Sequence, residues 1–148
     1  HRDLHSFPTR RSSDLTAVGT DYNRVNLLMA VLEKRMGLHL GTCDAYVNVA
    51  GGMRIVEPAL DLALVAALIS SHYGRSLDAH TVLFGEVGLV GEVRAVSQAE
   101  RRVQEALKTG YTTIILPEAN RQAIVKAGTV PLEGVKLVGI KHIRDLTI

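Results

Sequence analysis

Residues 84–94 read Phe-Gly-Glu-Val-Gly-Leu-Val-Gly-Glu-Val-Arg. Glycines recur at 85, 88 and 91 between valines and a leucine. Glycine adopts the positive φ angles of a tight turn without steric cost, so this stretch predicts a hairpin over 85–94 with glycine at its corners. The hairpin is flanked by elements of a different kind. Upstream, 81–84 is a short apolar strand, and 59–71 is a nearly all-apolar run that reads as a buried helix. Pro58 suits the first turn of that helix, and Glu57 lies beside its positive end. Downstream, 98–109 places Ala99, Val103, Ala106 and Leu107 on one helical face and closes at Gly110.

Working outward, 21–36 has Val25, Leu28, Met29, Leu32 and Met36 at helical spacing, with Lys34 and Arg35 before the stop signal Gly37. Residues 45–49 alternate as a strand and end at Gly51-Gly52, and 54–56 also read as extended. A strand over 112–116, a turn at Pro117, a helix over 118–127 stopped by Gly128, a strand over 135–138 and a short closing helix over 143–146 complete the chain. Strands and helices alternate except at the hairpin. That pattern predicts an α/β sandwich with a mixed sheet and packed helices.

Composition narrows the class. The 148 residues suit one domain, and 47% apolar with 22% charged residues excludes a disordered chain. The longest apolar region, 60–69, is broken by Asp61 and is too short to span a bilayer. A net charge of +2 does not by itself argue for nucleic acid. The single cysteine, Cys43, excludes a disulfide framework and a cysteine-ligated zinc site within the chain. With no tryptophan, four tyrosines and two phenylalanines, a stacking platform for single strands is not expected.

The motif tests are mostly negative. Residues 134–139 have P-loop glycine spacing but lack the lysine that must follow the second glycine to reach phosphates, and read as a strand. Gly85, Gly88 and Gly91 do not form G-x-G-x-x-G. His39, His72, His80 and His142 are scattered, and none belongs to an H-E-x-x-H pair. Glu86 and Glu92 flank the hairpin, where two facing carboxylates would suit acid–base work; solvated or backbone-capping roles are the ordinary alternative. Arg94, Arg101, Arg102 and Lys108 cluster around the hairpin and the following helix, which reads first as a solvated face.

The first fifteen residues, HRDLHSFPTRRSSDL, have no apolar segment of the secretory type. Residues 7–15 resemble the translation of a common sequencing-adapter oligonucleotide. On that reading 1–15 is an artefact expected to be disordered, 16–148 is the domain, and the natural protein is expected to continue N-terminal to Thr16.

Three ordered blocks carry a family resemblance: 21–35 (DYNRVNLLMAVLEKR), 46–63 (YVNVAGGMRIVEPALDLA) and 84–94 (FGEVGLVGEVR). Together they resemble the C-terminal Lon-protease-like domain of the RadA (Sms) family of bacterial DNA-repair proteins, over essentially all of 16–148. The resemblance implies a ribosomal-protein-S5-domain-2-like fold of the Lon proteolytic type. It also lets Lon chemistry be tested. Active Lon domains carry Pro-Ser-Ala-Gly with the serine as nucleophile; here 58–61 is Pro-Ala-Leu-Asp, so the nucleophile position is Ala59. Ungapped matching through Gly85-Glu86 puts the Lon general-base lysine at Arg102. Arginine stays protonated at biological pH and cannot serve as base. Ser70, Ser71, Ser76 and Ser97 lie in no matching motif. No catalytic residue is expected.

The resemblance further implies a parent that joins a four-cysteine zinc finger, a RecA-like ATPase and this domain into a cytoplasmic homo-hexamer acting on single-stranded or branched DNA, with recombinase proteins as further partners. ATP, magnesium and zinc are expected in the upstream part and none in this chain. Arg54, Arg94, Arg101, Arg102 and Lys108 are the expected DNA contacts, chosen for charge near the hairpin. Two alternatives stand beside this reading. A Lon-type serine peptidase is opposed by Ala59. The Lon-like domain of a magnesium-chelatase-like ATPase would place its ATPase after Ile148 rather than before Thr16.

Overall fold

The computed structural model describes residues 16–18, 22–37, 46–48 and 57–148. The expectations for 1–15, for an extended 54–56, and for His39, Cys43 and Arg54 fall outside these residues. The elements run β1 (Thr16–Val18), α1 (Tyr22–Met36), β2 (Tyr46–Asn48), a 3-10 turn (Pro58–Leu60), α2 (Asp61–Tyr73), β3 (Thr81–Leu83), β4 (Glu86–Val87) and β5 (Val93–Arg94). Then follow α3 (Ala99–Thr109), β6 (Thr113–Pro117), α4 (Glu118–Ala127), β7 (Lys136–Ile140) and a final 3-10 turn (Ile143–Asp145).

β3, β6 and β7 form a parallel three-stranded sheet in that order, with Val82 opposite Ile114 and Ile114 opposite Leu137. β1 and β2 pair in parallel, and β4 and β5 are the antiparallel arms of the hairpin. The hairpin joins the end of β7 through a hydrogen bond from Val93 N to Lys141 O (2.8 Å) and an antiparallel bridge between Glu92 and His142. Parallel and antiparallel pairing therefore coexist, as the alternation of elements predicts.

The sheet separates two apolar cores, and the period-two geometry of a strand explains why. On β6, Ile114 and Leu116 face one way, packing with Val103 of α3 and Ile124 of α4. Ile115 faces the other way, toward Val25, Leu28 and Leu32 of α1 and Leu62, Val65 and Ile69 of α2. Val82 and Leu83 of β3, and Leu137 and Val138 of β7, divide between the same two cores. A parallel sheet covered by helices on both faces is the usual solution for the connections from β3 to β6 and from β6 to β7, each of which needs a helical crossover.

Element boundaries differ from expectation at two helices. The run read as one helix over 59–71 begins as a 3-10 turn, and α2 proper starts at Asp61. Pro58 and the Glu57 carboxylate, which accepts the Ala59 N–H, set that tighter first turn. The closing helix is likewise a 3-10 turn, held at its start by the Arg144 N–H donating to His142 Nδ1 and the His142 N–H donating to Asp145 Oδ2.

Candidate functional site

The start of α2 is the place to look for chemistry, because it lies between the hairpin root and α3. Gly85 N donates to Ala59 O (2.8 Å) and Leu62 N donates to Gly85 O (3.0 Å), so the hairpin root is bonded to the first turn of the helix. Ala59 is buried there. Glu57 reaches over that turn. Its Oε1 accepts the Ala59 N–H at 3.2 Å and a charged hydrogen bond from Arg102 Nη2 at 3.3 Å. Arg102 also donates through Nε to Ser97 O at 3.0 Å. Ala59 and Arg102, 43 positions apart in the chain, thus share one carboxylate.

That arrangement holds a methyl group, a carboxylate and a permanent cation. It offers no hydroxyl to attack a carbonyl, and the guanidinium of Arg102 cannot take a proton; the Glu57 carboxylate is engaged by the Ala59 N–H and by Arg102. The four serines named above are placed otherwise. Ser70 Oγ donates to the Arg75 carbonyl, Ser97 supplies a backbone carbonyl to Arg102, and Ser71 and Ser76 are exposed.

Asp61 is the site's buried charge, at 1% exposure. Arg24 of α1 grips it with two guanidinium nitrogens, Nε to Oδ1 at 2.8 Å and Nη2 to Oδ2, and Val87 N donates to Oδ2 at 3.0 Å. One carboxylate therefore ties α1, α2 and β4 together. A buried charge needs such partners, because leaving it unpaired costs several kcal/mol. The signal for this residue was visible as the lone acid interrupting 60–69, although its partner was not.

The two carboxylates of the hairpin share an arginine. Arg94 lies between them, 2.8 Å from Glu92 Oε2 and 4.0 Å from Glu86 Oε1. Glu92 also accepts the Val90 N–H at 3.2 Å. The Arg94 hydrogen bond holds the Glu92 carboxyl below its ordinary range, and Glu92 in turn raises the Arg94 guanidinium. Both glutamates are thus bound to an arginine on one face of the hairpin.

The histidines are dispersed. His72 meets the Tyr73 ring edge-on, His80 is 3.4 Å from Asp78, and His142 bonds Val90 O at 2.8 Å through Nε2. Among the described residues no three His, Cys, Asp or Glu side chains converge to hold a metal ion. Also among them, no helix is long and apolar enough to cross a membrane. The stretch with P-loop glycine spacing is largely strand β7.

The basic residues divide. Arg94 and Arg102 are held by carboxylates as described. Lys108 is exposed and 3.7 Å from Glu105. Arg101 is exposed on α3. Helical spacing around buried Ala99 and Val103 brings Arg101 and Lys108 to the outer face of α3, while Arg102 turns toward Glu57.

Comparison with known proteins places this architecture. The family model described as "Subunit ChlI of Mg-chelatase" matches residues 16–120, and the chain belongs to that family. Its similarity to individual proteins is more specific. It is 45% identical over 129 residues to DNA repair protein RadA of Halalkalibacterium halodurans, and 46% identical over 129 residues to DNA repair protein RadA of Bacillus subtilis. Each alignment covers 87% of this chain and 27% of the relative. DNA repair protein RadA of Listeria monocytogenes is 44% identical over 123 residues, 83% of this chain and 27% of the relative. The chain spans about a quarter of the length of these curated relatives and matches their C-terminal part. A mixed α/β fold of the Lon-like type agrees with the family match.

Proposed function

We propose that this chain is the non-catalytic, ring-forming and DNA-contacting C-terminal module of a RadA-type, ATP-dependent DNA-repair protein that processes branched DNA. The observation that carries the non-catalytic part is the meeting of Ala59 and Arg102 on Glu57. The two positions where a Lon-type peptidase needs its serine and lysine come together, yet neither can perform its step. The fold is kept because alanine fits the helix start sterically and arginine replaces the base with an ion pair. The RadA names of the relatives support the repair assignment. On this reading the ATPase, zinc and magnesium sites belong to the part of the parent N-terminal to this domain, and this chain contributes assembly and phosphate contact. The magnesium-chelatase family match describes the same type of domain and does not separate the two parents.

The test combines sedimentation with active-site labelling. The chain is expected to sediment as a multimer at high concentration and to take no label from a serine-reactive phosphonate. Ala59→Ser is expected to remain unlabelled and unable to cleave casein, because Arg102 still cannot accept a proton. A strictly monomeric mass would remove the assembly role. Labelling of the unmutated chain would restore the peptidase reading.

A further inference from the structure

We infer that His142 is an acid-released latch, which pins the hairpin tip to the closing turn only while its ring is neutral. The residue stands just beyond β7 and makes an antiparallel bridge with Glu92 of the hairpin. Two contacts fix the hydrogens of the ring. Nε2 lies 2.8 Å from Val90 O. A carbonyl oxygen only accepts, so Nε2 carries a hydrogen and donates it. Nδ1 lies 3.1 Å from Arg144 N and 3.3 Å from Arg144 Nε. Both of those are N–H donors, so Nδ1 holds a bare lone pair. One neutral tautomer therefore serves two segments, donating to the tip and capping the turn over 143–145.

A second proton has only Nδ1 to bind. There it would face the backbone N–H and the permanent cation of Arg144, so the cap turns from attraction to repulsion. The neighbouring carboxylates are bonded elsewhere. Asp145 Oδ2 accepts the N–H groups of Lys141 and His142, at 3.1 and 3.0 Å. Glu92 accepts the Val90 N–H and two nitrogens of Arg94, which also lies near Glu86. The remaining charge on the two segments, Lys141, is a further cation. The ring also covers Gly91, where a Cβ would come within 2.7 Å of it, and the tip beyond carries exposed Leu89 and Val90. Losing the cap frees the ring to leave Val90 O, so the tip is released while the arms β4 and β5 stay paired. Histidine is the side chain that gains its charge in mildly acidic solution, which makes this release a response to pH.

The test is NMR of the whole chain at about pH 8 and about pH 5, on either side of ordinary histidine titration. Imidazole nitrogen shifts at the higher pH are expected to show the Nε2–H tautomer. Protection of the Arg144 amide against exchange, corrected for the intrinsic effect of pH, is expected to fall roughly tenfold at the lower pH, the scale of one lost hydrogen bond. His142→Asn keeps an oxygen that accepts the Arg144 N–H but does not titrate, so its protection is expected to be the same at both pH values. His142→Ala is expected to lack that protection at both. An Nδ1–H tautomer, unchanged wild-type protection, or an equal fall in His142→Asn overturns the inference; the last would place the titrating group elsewhere. If either variant does not fold, the wild-type tautomer and its pH-dependent protection decide.

Discussion

Gln98 sits at φ 60° and ψ 29° immediately before α3, the one non-glycine residue with positive φ among those described. A side chain in this left-handed conformation costs roughly 1–2 kcal/mol, whereas glycine pays only in unfolded-chain entropy, about 0.5–1 kcal/mol. Gln98→Gly is therefore expected to raise stability slightly, by about 1 kcal/mol or less, in a denaturant titration. A loss instead would mean that the glutamine side chain holds the turn. Glu118, at the start of α4, shows a charge effect at the same scale. Hydrogen bonds from Arg121 at 2.6 and 2.8 Å, and then one from Gln122, bring its carboxyl down from 4.5 to about 2. A depressed carboxyl stabilises the fold above its unfolded pKa, and that contribution fades as pH falls from about 4.5 through 2. The melting-temperature gap between wild type and Glu118→Gln is expected to be constant above pH 5 and to close toward pH 2. A gap that persists at pH 2 would show that the side chain acts through packing rather than charge.

Among the elements, the hairpin was the most legible in the sequence. Its glycine spacing predicted the turn, and β4 and β5 pair within the predicted 85–94. What holds the turn was not legible, because the partner lies 52 residues away. His142 bonds Val90 O, and Ile143 N donates to Gly91 O at 3.0 Å. A Cβ on Gly91 would come within 2.7 Å of the His142 ring, and φ there is +86°. A Cβ on Gly88 would collide with the Glu92 carboxylate. Both glycines thus make room for their braces as well as for the turn. Gly91→Ala is expected to cost about 1–3 kcal/mol and to speed amide exchange at Val93. Wild-type exchange in that variant would show that the brace yields without loosening the hairpin. The brace leaves Leu89 65% exposed and Val90 half exposed at the tip.

Across the whole molecule, the class of fold was readable because the helical and strand periods were strong wherever the two cores needed them. The faces of α1 and α3 named from spacing are the faces that pack: Val25, Leu28 and Leu32 in one core, Ala99 and Val103 in the other. The candidate site was less legible for a physical reason. The family resemblance pointed to Ala59 and Arg102, but their convergence on Glu57 depends on how the elements pack. The basic cluster looked uniform in sequence because charge is a property of the residue, whereas its availability depends on neighbours such as Glu57 and Glu92. Asn120 is a similar case. It pairs with both backbone groups of Val96, at 2.9 and 3.1 Å, and no local pattern announces that bond.

The Arg24–Asp61 clamp also bears on how far this chain can be shortened. A fragment starting after α1 keeps the buried carboxylate and the Val87 N–H that leans on it, but loses the guanidinium that balances the charge. It would also strip the apolar cover from Leu62, Val65 and Ile69. Pieces cut between α1 and α2 are therefore expected to be less stable than the whole, since they leave the Asp61 charge without its guanidinium.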